Sequence, residues 1–198
     1  MTILEQNVRL HRTEAYFYNA THPENYNLFE QRRLKHQVRT LASQIEPSKG
    51  VLDLASGTGN VADHLRRAGI NTIACDLSRE MLRENRSPHR VQCDVTRLPF
   101  KDGCFAAVTA YSVFHHLPDP GRTTREVCRV AAENCVLYFD HDHFLPQSHK
   151  TLGHYPFTAT DLAGWLAWLV LHPKYVKRLF QYALWGRQRH LQNMSELD

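Results

Sequence analysis

Three aspartates and one glycine-rich turn are the residues of this chain best spaced for chemistry. Residues 51–60 read VLDLASGTGN, with Asp53 inside a short apolar run and Gly57 and Gly59 behind it. An apolar run of this length reads as a buried strand, and the glycines supply a turn whose backbone can approach a ligand closely. Asp76 closes a second run, Thr72 to Asp76, and Asp94 closes a third, Val91 to Asp94. As parallel strands the three runs present their carboxyl ends on one edge, so their carboxylates line one crevice beside the turn. That layout suits a nucleotide-type cofactor, although each aspartate taken singly is also a good turn or helix cap.

A second set of side chains could move protons. His115 and His116 follow an apolar run at Phe105 to Ala110, and His141 and His143 follow another at Cys135 to Asp140. Both pairs then reach the same sheet edge, where imidazole suits proton abstraction near neutral pH. Ordinary loop histidines would read the same way. The DHDH stretch at 140–143, with His149 and His154 beyond it, has neither zinc-helix nor calcium-loop spacing, so no metal is expected. Upstream, Tyr16, Phe17, Tyr18, His22 and Tyr26 combine rings with polar tips. We expect Tyr18, His22 and Tyr26, with His154, to contact a small-molecule substrate that is aromatic or partly apolar.

The elements that must position these residues alternate along the chain. Leu28, Phe29, Leu34, Val38, Leu41, Ala42 and Ile45 recur at mainly helical spacing and form one face of a helix that Pro47 and Gly50 close. Beyond Gly50 come a strand at Val51–Leu54, a helix at Asn60–Arg67, a strand at Thr72–Asp76 and a helix at Arg79–Asn85 behind Ser78 as N-cap. A strand at Val91–Asp94, another at Phe105–Ala110, a helix at Gly121–Ala132 and a strand at Cys135–Asp140 complete the series. This is an α/β pattern, predicting a mostly parallel sheet flanked by helices on both faces. One domain over residues 1–198 is expected. Residues 1–45 form an arm and helix, 50–140 a cofactor-binding core, and 141–198 a substrate-side loop, a helix with Trp165 and Trp168, and a final antiparallel strand near Tyr175–Trp185.

Composition narrows the function class. With 198 residues, 42% hydrophobic and 22% charged, the chain has the make-up of a globular protein. Its net charge of +4 is dispersed, apart from Arg32, Arg33 and Lys35 and a second group at Lys174, Lys177 and Arg178, so nucleic acid is not the expected partner. The five cysteines include no CxxC pair and read as reduced thiols. The first ten residues lack a signal-peptide core, and the longest apolar stretch, Ala163 to Leu171, is far below a membrane span. We therefore expect a cytoplasmic protein without a membrane span, with a homodimer left open.

Two cofactor classes compete for the glycine turn. Gly57, Gly59 and Ala62 fit G-x-G-x-x-A, and Asp76 could hold ribose hydroxyls, which keeps an NAD(P)-dependent oxidoreductase open. Asp53 argues against it. A carboxylate beside a pyrophosphate is repulsive, whereas the ammonium and sulfonium of S-adenosylmethionine would be attracted.

The segments VLDLASGTGN, IACDLSREML, QCDVTRLPF, FAAVTAYSVFHHLPD and TREVCRV resemble, in order, the motifs of class I S-adenosylmethionine-dependent methyltransferases. The resemblance is to the small-molecule group that includes the ubiquinone and menaquinone biosynthesis methyltransferases, of methyltransferase type 11. It covers roughly residues 45–140 and departs at Ala55, where many relatives carry glycine. It implies a Rossmann-like fold, S-adenosyl-L-methionine as donor with S-adenosyl-L-homocysteine as product, and in-line transfer to a small organic acceptor. It also implies that Asp53 and the turn Ala55, Ser56, Gly57, Thr58 and Gly59 surround the methionine portion. Asp76 would take the ribose hydroxyls, Leu77 and Met81 would pack near adenine, and Asp94 and Val95 would meet its amino edge. Tyr111 would lie at the methionine end, and a histidine at the position of His116 commonly has a structural role in relatives. A noncatalytic accessory protein would retain the same cofactor residues.

Overall fold

The computed structural model describes residues 8, 11–12, 14–22, 25, 27–46 and 48–142. Tyr26, His143, His154 and the segment expected to hold the last helix and antiparallel strand lie outside them. Among the described residues, the helices α1 (Tyr18–Thr21) and α2 (Leu28–Ala42) lie ahead of an alternating series. It runs β1 (Gly50–Leu54), α3 (Asn60–Arg67), β2 (Thr72–Asp76), α4 (Arg79–Glu84), β3 (His89–Gln92), β4 (Phe105–Tyr111), α5 (Pro120–Val130) and β5 (Ala131–Asp140). The strands pair in parallel in the order β3-β2-β1-β4-β5. The chain winds outward from β1 to β3 and then returns to the other side of β1. The strand order therefore reverses between β1 and β4, and a crevice opens at their carboxyl ends.

The two-residue period of the strands creates two apolar layers. Leu52, Leu54, Val108 and Ala110 pack with Val127 and Val130 of α5. On the opposite face, Val51 and Ala107 pack with Leu34, Val38 and Leu41 of α2 and with Val61 and Leu65 of α3. Full burial of each such aliphatic side chain contributes about 1.5–3 kcal/mol. Asp53 and Thr109 follow Val51 and Ala107 by two residues, so the alternation places both on the α2 and α3 face.

The bounds of most elements shift by one or two residues from the sequence reading, and the differences with a physical reason are in α2, β3 and β5. In α2, Leu28 and Phe29 are 55% and 67% exposed, because they occupy the first turn, ahead of the stripe that Leu34 begins. Asn27 starts this helix by accepting the backbone N–H groups of Phe29 at 2.9 Å and Glu30 at 3.2 Å. Strand β3 ends at Gln92 instead of Asp94, because its register pairs Ile73–Asp76 with His89–Gln92. Lying at the sheet edge, it needs few apolar residues, so its first two positions, His89 and Arg90, carry no strand pattern. Strand β5 starts at Ala131 directly behind α5, and a bulge separates the pairs Phe105↔Ala131 and Ala107↔Val136. Among the described residues, no helix is long and apolar enough to cross a membrane.

Candidate functional site

Behind β1 the chain folds back through a turn with three left-handed residues, Ala55 (φ 47), Gly57 (φ 52) and Gly59 (φ 92). Ala55 accepts this conformation despite its Cβ, at a cost of about 1–2 kcal/mol. The Asp76 carboxylate ties this turn to the one after β2. Gly57 N–H donates to Asp76 Oδ2 at 2.8 Å, and Ser78 N–H donates to Asp76 Oδ1 at 2.7 Å. Asn85 braces the turn from below, donating from Nδ2 to Ser56 Oγ at 3.1 Å and to the Gly57 carbonyl at 3.2 Å. No periodicity or motif singled out Asn85, whose role exists only because α4 packs beneath the turn.

Asp53 is 1% exposed. Thr109 Oγ1 donates to its Oδ1 at 2.7 Å, while Oδ2 is buried with no hydrogen-bond partner. Burial pushes its pKa up to about 7, against the pull of Thr109 and the Ala62 backbone N–H, and nearby Asp76 pushes the same way. Burial likewise raises Asp76, opposed by the N–H groups of Ser78, Gly57 and Leu77. Asp94 lies two residues past β3, its Oδ1 accepting Thr96 N and Oγ1, each at 2.8 Å.

These groups line a cavity of about 400 Å³ that extends from Asp94 and Met81, past Asp76 and Asp53, to Tyr111 and His116. Such a volume lies within the ordinary range for small-molecule sites. All the expected cofactor residues line it except Gly59, which stands behind as the N-cap of α3. Among the candidate histidines, His116 lines the cavity. His115 pairs instead with Asp142, through Nδ1 at 2.9 Å and its backbone N–H at 3.3 Å. His141 stacks on Tyr111 with ring centroids 4.8 Å apart. Burial pulls the His116 pKa down to about 4, helped by the charges of His115 and His11 and opposed by Asp142.

The amino-terminal arm closes one side. Tyr18 lines the cavity, whereas His22 stacks on the Tyr18 ring at 3.7 Å, with its Nδ1 3.0 Å from the Tyr18 carbonyl. Thr58 of the glycine turn donates to Asn19, which pins the arm in place. Val8, His11 and Asn25 also line the cavity. Sequence reasoning missed them, because an aperiodic segment carries no local sign of where it docks.

A polar network joins α2 to the ends of β4 and β5. Glu30 accepts from Arg33 Nε at 3.1 Å and from the Tyr111 hydroxyl at 3.0 Å, and Arg33 reaches Asp140 at 2.6 Å. Burial alone would raise the Glu30 pKa, but the hydrogen bonds from Arg33 and Tyr111 hold it below 4.5. Glu30→Ala should therefore lower stability by about 1–2 kcal/mol at neutral pH. In thermal melts, the gap to wild type should be full above pH 4.5 and close as the pH falls through the depressed Glu30 pKa. An equal gap at pH 7 and pH 3 would show that the ionised carboxylate is not what stabilises this corner.

Residues 52–139 match a family model described as a methyltransferase domain. The demethylmenaquinone methyltransferase of Mycolicibacterium vanbaalenii is 41% identical over 91 residues, which cover 45% of this chain and 40% of that protein. That of Streptomyces avermitilis is 32% identical over 112 residues, covering 53% of this chain and 48% of that protein. The chain thus spans less than half the length of either relative. The PH0226 protein of Pyrococcus horikoshii superposes with a TM-score of 0.50 at 26% identity, over 62% of this chain and 65% of that one. The matched segment begins inside β1 and ends inside β5, and so holds the glycine turn, all three aspartates and the strand reversal between β1 and β4. Residues 52–139 are thus similar to methyltransferase domains, and the curated relatives that this part of the chain matches are demethylmenaquinone methyltransferases.

Proposed function

We propose that this chain binds S-adenosylmethionine and transfers its methyl group to a small organic acceptor, leaving S-adenosylhomocysteine. The observation that carries the reading is Asp53 Oδ2, a buried carboxylate oxygen without a partner at the strand-reversal cavity. An ammonium group supplies the missing donor and the missing charge together. Asp76, held by two backbone N–H groups of adjacent turns, is oriented to accept ribose hydroxyls. Leu77 and Met81 offer an apolar wall for a base, with Asp94 and Val95 at its end.

When bound, S-adenosylmethionine supplies a methyl group activated by its sulfonium. The chain's own contribution is placement and exclusion of water, which can provide much of the rate of an in-line displacement. Tyr111 and His116 border the end of the cavity where the acceptor would enter, with Val113, Leu117 and Tyr18 as apolar and aromatic walls. These surroundings favour an aromatic or partly apolar acceptor, and the curated relatives, named for demethylmenaquinone, point the same way. His116 remains neutral above about pH 4 and can accept a proton from the acceptor. His116→Phe should lower kcat about tenfold or more while S-adenosylhomocysteine affinity stays unchanged. The wild-type kcat should level off above pH 5, and an acid limb centred near pH 6.5 would assign the base to another group.

Calorimetry with S-adenosylmethionine, S-adenosylhomocysteine and NAD(H) tests the cofactor. Ligand-free Asp53 holds a proton below its pKa of about 7 and must lose it to meet an ammonium. Binding should release a proton at pH 6 and none at pH 8, read from the dependence of the enthalpy on buffer. Tight NAD(H) binding with no response to the other two would overturn the assignment. Cofactor binding without transfer across a broad acceptor panel would favour an accessory protein.

A further inference from the structure

The arm carries polar atoms into the cavity that the cofactor assignment does not use. His11 Nδ1 and Asn25 Nδ2 are buried and lack hydrogen-bond partners, and both residues line the cavity. Buried polar groups in folded proteins are nearly always paired, so two orphans on residues that line one cavity point to a ligand that pairs them. The His11 ring meets the His116 ring edge-on at 5.8 Å and the Tyr18 ring at 6.2 Å. Burial, then the nearby His22, lowers the His11 pKa, so this imidazole is neutral at pH 7 and one of its nitrogens accepts a hydrogen bond.

The sheet order separates donor side from acceptor side. Asp76, Met81 and Asp94 lie with β2 and the turns beyond β2 and β3, on one side of β1. His116 follows β4, on the other side. A cofactor extended from Asp94 to Asp53 delivers its methyl group toward β4, and His11, in contact with His116, borders the space beyond.

We propose that His11 and Asn25 form the polar subsite for the methyl acceptor and recognise a hydroxyl group on it. The Asn25 amide donates to the hydroxyl oxygen, and His11 Nδ1 accepts the hydroxyl proton. A hydroxyl is the small group that both accepts from an amide and donates to an imidazole nitrogen, whereas a methyl group of the same size does neither. The assignment rests on the methyltransferase reading above and adds the chemistry of the acceptor to it.

The test is a ligand-observed NMR titration of the full chain, saturated with S-adenosylhomocysteine, using para-cresol and para-xylene as probes that differ by hydroxyl for methyl. Wild type should prefer para-cresol by about tenfold or more, one good hydrogen bond's worth of discrimination. His11→Phe and Asn25→Leu should each reduce that preference to about threefold or less, with S-adenosylhomocysteine affinity within twofold of wild type. His11→Gln, which keeps a hydrogen-bonding side chain, should recover part of it. Equal binding of the two probes to wild type, or no binding of para-cresol, overturns the proposal. So does a loss of S-adenosylhomocysteine affinity in either variant without a change in probe preference, because the arm would then hold the cofactor. Failure of wild type to bind S-adenosylhomocysteine at all would instead bring down the methyltransferase reading.

Discussion

Asp53→Asn should raise the melting temperature of the ligand-free protein at pH 8 and weaken S-adenosylhomocysteine binding about ten- to a hundredfold. Both effects come from one buried carboxylate. Its folded-state pKa is raised to about 7 from 3.8. In the window between these values the unfolded chain has lost the proton that the folded chain still holds, so folding stability falls as the pH rises. Above pH 7 the ligand-free protein carries a buried charge with one oxygen unpaired. Asparagine keeps an acceptor for the Thr109 hydroxyl and removes that charge. A gain of about 2 kcal/mol, or roughly 4–8 °C in a chain of this size, is the expected scale. The gain should shrink toward pH 4, where aspartate is itself neutral in the fold. Cofactor affinity moves the other way, because the carboxamide leaves an ammonium without its counter-charge. A variant that melts below wild type at pH 8, or binds S-adenosylhomocysteine normally, would remove Asp53 from the role given to it.

Gly59→Ala should cost about 2–4 kcal/mol and abolish measurable cofactor binding. Gly59 has φ 92, where a Cβ is strained whatever the space around it. Here the space is also taken, since a Cβ would fall 2.7 Å from Asn85 Cγ and Oδ1. Asn85 has little freedom to retreat. Its Nδ2 donates to Ser56 and Gly57, its Oδ1 accepts the Ser87 N–H at 2.8 Å, and it is 2% exposed. Any shift breaks the brace that shapes the turn, so the loss should reach the ligand although Gly59 does not line the cavity. Gly57→Ala provides the contrast. Its φ of 52 is nearly tolerable and nothing stands within 4 Å of its Cβ, so thermal melts should show about 1 kcal/mol of loss. Equal destabilisation in the two variants would mean that φ alone, and not the packing against Asn85, sets the cost.

These two positions also mark what local pattern could reveal. Asp53 and the glycine turn were readable because a short apolar strand followed by glycines has few other folded outcomes. Once the strands were taken as parallel, their shared carboxyl edge brought Asp53, Asp76 and Asp94 together without further information. Asp94 fell at the right edge even though β3 ends two residues before it, since a strand end and the turn after it open onto the same crevice. The histidines were a different case. His115 and His116 are adjacent in the chain and equally suited to proton transfer, yet the turn at Phe114–His116 sends one to Asp142 and the other to the cavity.

By itself, the sequence determined the parallel α/β core, the glycine turn and the edge at which the three aspartates gather. Those features follow from strand period, glycine conformation and chain order, all of which act over a few residues. Only the tertiary structure decided that Asn85 braces the turn, that Glu30 anchors Tyr111, and that His11 and Asn25 reach the cavity. Each of these depends on side chains from elements distant in sequence meeting in space. No local period encodes such a meeting, because it is fixed by how whole helices and the arm pack onto the finished sheet.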